Sequence, residues 1–233
     1  MTQEPFIQPR FVGPRFEGHT LPLSAAKDLA AYEELVLELA KHLFRMKQTD
    51  RVRVPKGFAQ GFSLHIERID DGSAKPALVA MLLGSLLTEL PLEITESKDL
   101  INSVIATEAA QSLPSAFPKE FYSYFNRIGR SLEEGESIEW QPDSPTNKTV
   151  LTPVKRKRLV LAHRETYEAE AHVAGLVESL DTKRRTGTLN SLENQTVTFT
   201  FNDPFFSDLK EALGNPRLTA SIKGIGVFDG NDR

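Results

Sequence analysis

The residues whose types and spacing are best suited to chemistry are two runs of cations. Lys155, Arg156, Lys157 and Arg158 are consecutive in TPVKRKRLVLAHRE, and Lys183, Arg184 and Arg185 are consecutive in DTKRRTGTL. Such runs neutralise phosphates on a nucleic acid, serve as an address signal, or keep the edge of a strand wet. The charge balance weighs against the first use. The whole chain has 28 basic and 32 acidic residues, a formal net charge of −4. Residues 148–233 hold 13 of the basic and 11 of the acidic ones, a sum of +2, which leaves −6 for the rest. A domain that reads nucleic acid is more often strongly basic. Extended backbone would also turn Lys155 and Lys157 to one side and Arg156 and Arg158 to the other. The quartet therefore reads as the solvated edge of a strand. Nucleic-acid contact remains the alternative, because the second run sits in a hairpin turn and the two runs, folded side by side, would make one patch of seven cations.

Other chemical signatures are missing from the sequence. There is no cysteine, which excludes disulfides, thiolate zinc sites, iron–sulfur clusters and cysteine nucleophiles. His19, His42, His65, His163 and His172 show no HxxxH or HExxH spacing, so no metal site is signalled. His65 and His172 fall in expected strands and read as satisfied sheet residues. GIGVFDG from Gly224 has the wrong final spacing for a dinucleotide loop and no helix after it. Neither a GxxxxGK[ST] loop nor a GxSxG elbow occurs. The adjacent Asp70 and Asp71 belong to a turn in which their side chains point apart. The expectation is no cofactor, no metal and no catalytic residue, with an enzyme built from distant residues as the third reading.

The elements that would position these residues divide into two styles. With 233 residues, 39% hydrophobic and 26% charged, the chain has an ordinary globular composition and length for two small domains. The first part reads as mixed α and β. A helix over 25–47, capped by Ser24, carries Leu29, Tyr32, Val36, Leu39, Leu43 and Met46 three and four apart. FSLHIERI alternates as a half-buried strand. Gly72 fits a turn, and PALVAMLLGSLLTELP from Pro76 to Pro91 reads as a buried helix capped by Ser73, with Gly84 and Ser85 allowing close approach. It is too short to span a membrane. A further helix is expected over 97–112, and a short one in FPKEFYSYFNRIG with Phe121, Tyr124, Phe125 and Ile128 inward.

SLEEGESIEWQPDSPTNKT has the composition of a linker, with Trp140 pinning an exposed loop. Beyond it the pattern becomes that of strands. VLTPVKRKRLVLA reads as an edge strand broken at Pro153. TYEAEAHVAGLVESLD reads as a strand whose phase shifts at Gly175, and TVTFTF as one with Val197, Phe199 and Phe201 on one face. NDPFFSDLKEALG reads as a short helix ended by Gly214, and RLTASIKGIGVFD as a last strand. The expected fold class is α+β: a mixed domain over 1–130, a linker over 131–149, and a small SH3-like or OB-like β-barrel over 150–233.

RFEGHTLPL, DLAAYEELVLELAK, RVPKGF and DDGSAKPAL, with the later AGLVESLDTKRRTGTL and SIKGIGVFD, resemble a layout recurring among uncharacterised bacterial proteins that carry a C-terminal small β-barrel. The resemblance covers the first third and the last quarter of the chain and transfers no functional residue. What it implies is a bacterial origin and a place in a multi-subunit or defence-related assembly. The N-terminal MTQEPFIQPRF carries an acid and two prolines in place of a basic patch and apolar run, so a cytoplasmic location is expected. The leading expectation for function is a non-catalytic binding or regulatory module acting through protein–protein contacts.

Overall fold

A computed structural model describes residues 5–48, 54–55, 58, 61–70, 74–82, 90–107, 113–141 and 148–232. It is mixed α and β, and it divides into two compact units: residues 1–168 with 228–233, and residues 169–227. The expected boundary lay near residues 131–149. Instead, residues 150–168 belong with the first unit.

In the first unit, strand β1 (Arg10–Val12) precedes helix α1 (Leu23–Lys47). Pro22 precedes the helix, and Ser24 lies inside it rather than capping it. The expected stripe is the packed face: Leu29, Tyr32, Val36 and Leu39 are buried, while Leu43 is half-buried and Met46, in the last turn, is exposed. Strands β2 (Phe62–Asp70) and β3 (Lys75–Leu82) pair antiparallel, Ile66 opposite Leu78. The second of these corrects the helix expected from Pro76. Leu78 pairs with β2 on one side and bridges Ile7 on the other, so Ala77, Leu78 and Val79 are all buried. A strand covered all round shows a continuous apolar run, as a buried helix does. Expectations placed on Asp71, Gly72, Ser73, Gly84, Ser85 and 108–112 lie outside the described residues.

Helix α2 (Leu92–Ala106) packs on α1 through Ile94, Ile101, Val104 and Ile105. A 3-10 helix over Lys119–Asn126 buries Phe121, Tyr122 and Phe125, with Ile128 buried just beyond. Tyr124 is only half-buried. The segment expected to be a linker supplies strand β4 (Ser137–Trp140), the centre of a three-stranded sheet between β1 and β5 (Thr149–Leu151). Trp140 is fully buried, stacked on Tyr32 at 4.6 Å between centroids, so it belongs to the core and not to an exposed loop. The cation quartet then lies in helix α3 (Pro153–Leu161), which corrects the edge strand. Thr152 accepts the Lys155 N–H at 3.2 Å and Pro153 occupies the first turn. These are the two residues that best start a helix, a cap followed by a fixed φ.

The second unit is built on the long strand β6 (Thr166–Asp181), β7 (Thr186–Ser191), β8 (Thr196–Thr200), helix α4 (Phe206–Ala212) and β9 (Ala220–Asp229). Their sheet has the order β8-β7-β6-β9. It is open: among the described residues no pairing joins β8 to β9, so the expected barrel is not closed. The phase change in β6 lies between Val177 and Ser179 rather than at Gly175. Gly175 has a different reason. A Cβ there would sit 2.1 Å from the Asn190 carbonyl oxygen. Val177, Leu209 and Ala212 form a small core, with Leu180, Phe199 and Phe201 packed against it, and Phe206 stacks on Phe201. Among the described residues no helix is long and apolar enough to cross a membrane.

Candidate interaction surface

In helix geometry the four consecutive cations point in four directions, and each has a different task. Arg156 is buried, 3% exposed. Its Nη2 donates to the Asn126 carbonyl at 3.1 Å and also to the Glu168 carbonyl. The Asn126 side chain completes this junction by accepting the Glu168 N–H at 3.0 Å. Burial lowers the Arg156 pKa to about 10. The same enclosure, counting first, pushes the carboxyl of Asp28 up to about 6, although the Ser131 hydroxyl donates to it at 2.6 Å and the Arg156 charge favours its ionised form. Lys155 donates to the Ile105 carbonyl at 3.2 Å. Lys157 pairs with Asp232 at 2.6 Å and lies over the Tyr167 ring. Arg158 has an interaction partner as well. The quartet holds its own unit together.

The triplet belongs to the other unit, in the turn from β6 to β7. Asp181 accepts the backbone N–H groups of Lys183 and Arg184 at 2.9 and 3.0 Å, which shapes the turn. Arg185 takes positive φ and pairs with Asp203. The Lys183 side chain has no partner among the described residues, and Arg184 lies 4.0 Å from Asp181 while remaining largely in water. These two side chains are the only ones of the seven that stand in solvent without a close partner.

Among the described residues, the remaining titratable groups form no reactive constellation. His65 shares a 2.9 Å hydrogen bond with Ser63, and His172 one of 2.7 Å with Ser221. A half-open cavity of about 260 Å³ is lined by Lys119, Glu120, Tyr122, Ser123, His163 and Arg164. Of its two hydroxyl side chains, Ser123 donates to the Glu120 carbonyl at 2.8 Å and Tyr122 is buried. Among the described residues no group of three or more His, Asp or Glu side chains is placed to hold a metal ion.

Apolar exposure is distributed unevenly. Of twelve exposed large hydrophobic side chains among the described residues, seven lie in residues 169–227: Leu176, Leu192, Phe205, Leu213, Leu218, Ile225 and Val227. The covered face of the sheet, Val177 and Leu189 with Phe199, rests on α4. Thr188 opposite Thr198 and Asn190 opposite Thr196 make the other face polar. The exposed apolar groups lie around this sandwich, in the β7–β8 turn (Leu192), beside α4 (Phe205, Leu213) and along the edge strand β9 (Ile225, Val227). Their signal was present in the sequence. Leu176 is out of phase with Val177, and Ile225 and Val227 share the face of Lys223.

Comparison with protein-family models, with curated proteins and with solved structures finds no match.

Proposed function

We propose that this chain is an intracellular binding module that acts through protein–protein contacts made by residues 169–227. The observation that carries the reading is the concentration of exposed apolar side chains there. Large apolar groups left in water are candidates for a partner's surface, and Leu192, 76% exposed in the β7–β8 turn, and Phe205, 59% exposed just before α4, each have hydrophobic area to gain from one. The charge of the unit agrees: six basic against seven acidic residues leave −1, a balance suited to a protein surface rather than a phosphate backbone. A closed SH3-like or OB-like barrel would bring β8 and β9 together. The open form favoured here leaves both edges to a partner.

Nucleic-acid contact is the second reading, and Lys183 and Arg184 are what favour it. Two solvated cations are few, since affinity for duplex DNA grows with the number of phosphates neutralised.

The test is co-purification from the native host with the unaltered chain and with Leu192→Glu and Phe205→Glu. The reading expects a protein partner that both variants lose while their circular dichroism is unchanged. Recovery of the same partner by both variants would overturn it.

A further inference from the structure

The half-open cavity of about 260 Å³ lies between the first turns of the 3-10 helix Lys119–Asn126 and the residues that follow α3. Both walls belong to the first unit. Lys119, Glu120, Tyr122 and Ser123 line one side, and His163 and Arg164 the other. Lys119 and Arg164 are exposed, and among the described residues neither side chain has an ion-pair or hydrogen-bond partner. Glu120, the one acid in the lining, has its carboxylate 4.0 Å from Nδ1 of His42, which is outside the cavity. The lining sums to +1 with His163 neutral, whereas the unit as a whole carries −3, the chain's −4 less the −1 of residues 169–227. A concave positive site in a negative body favours an anion. The wall is also aromatic: Tyr122 is buried, and the His163 ring lies against it at 4.5 Å between centroids. The Tyr122 hydroxyl is buried without a hydrogen-bond partner among the described residues. Such groups are few in folded proteins, and this one belongs to a residue that lines a cavity.

We propose that this cavity binds a phosphate monoester with a short organic stem. The site goes beyond the reading of residues 169–227 and does not depend on it. A phosphate monoester carries close to −2 at pH 7, its second pKa being about 6. Lys119 and Arg164 supply two positive charges for that one group, where a carboxylate would balance only one. The Arg164 guanidinium is a planar fork that donates to two oxygens at once, and the Lys119 ammonium is a point charge on a flexible stem. A ring N–H of His163 is a further donor. Volume limits the rest of the ligand, because sites for drug-sized molecules measure about 300–1,000 Å³. The space beyond a phosphate takes a few carbon atoms, and the Tyr122–His163 pair gives them an aromatic wall.

The probe is glycerol 3-phosphate, titrated into the full chain while the backbone amides are followed by NMR. Saturable shifts should gather at residues 119–123 and 163–164, and glycerol alone should give none. Losing one charge-assisted hydrogen bond weakens binding about tenfold or more, so Lys119→Gln and Arg164→Gln should each raise the Kd by that factor. Both positions are exposed, and unchanged shifts at the remaining amides show that the variants fold. Inorganic phosphate should bind more weakly than the ester, because it leaves the aromatic wall empty. No shift at these amides up to about 10 mM ester, roughly ten times the upper end of ordinary substrate affinities, overturns the proposal. So does equal affinity for the ester and for inorganic phosphate, or a Kd that neither substitution changes.

Discussion

Replacing Arg156 by alanine separates a structural quartet from a binding patch. The guanidinium is buried and makes hydrogen bonds to the carbonyls of Asn126 and Glu168. Hydrogen bonds from a charged donor contribute about 1.5–3 kcal/mol each, and truncation leaves both carbonyls short of a donor. Asp28, already raised to about 6 by burial, also loses a favourable charge. Release of the arginine's rotamer entropy returns up to about 2 kcal/mol. Two such bonds set against the returned entropy leave a net cost of about 1–4 kcal/mol. Arg158→Ala, at an exposed position, should cost under about 1 kcal/mol. Trp140 is the single tryptophan and lies in the same unit as both arginines, so urea unfolding followed by its fluorescence reads the right transition. In an Asp28→Asn background the cost of Arg156→Ala should shrink, because no carboxylate is left unpaired. Equal and small losses for Arg156→Ala and Arg158→Ala would refute the reasoning.

Asp28 also predicts a pH dependence. Its folded pKa of about 6 stands above the ordinary 3.8, so the folded state holds a proton that the unfolded state has released. This group's contribution is fully present below pH 4 and is lost as pH rises through about 6, an amount on the order of 3 kcal/mol. Asp28→Asn should flatten that slope in denaturation series run from pH 4 to 7. Trp140 should emit at short wavelength and resist acrylamide quenching, because the ring is enclosed against Tyr32; emission typical of exposed indole would place it outside the core. Gly175→Ala should destabilise the second unit by about 1–3 kcal/mol, since its Cβ would run into the Asn190 backbone as well as the Leu189 side chain, with thermal melts as the check.

Much of the fold was legible where pattern and environment agree. The stripe from Leu29 to Leu39 is periodic because one side of α1 faces the core and the other faces water. The alternation of Val197, Phe199 and Phe201 survives because β8 has one covered face. Legibility failed where no such asymmetry exists. Ala77, Leu78 and Val79 are enclosed on every side, so their run carried no period to distinguish strand from helix. Trp140 was hidden by the linker-like residues around a four-residue strand. The quartet misled in a different way. Arg156, Leu159 and Val160 are spaced three and four apart and are the buried face of α3, but a cation in that stripe reads as solvent-facing unless its partners across the fold are known. As for the candidate surface, the apolar residues of 169–227 were visible as letters. What exposed them was their position outside the face that α4 covers, in the β7–β8 turn, beside α4 and along β9.

A photoreactive benzoylphenylalanine placed at position 205 in one chain, at 158 in a second and at 184 in a third, irradiated in the native host, tests the central claim most directly. Protein adducts from position 205, with little captured from 158 or 184, are what a protein-binding surface on residues 169–227 predicts. Nucleic-acid adducts from 158 and 184, with none of any kind from 205, would contradict it.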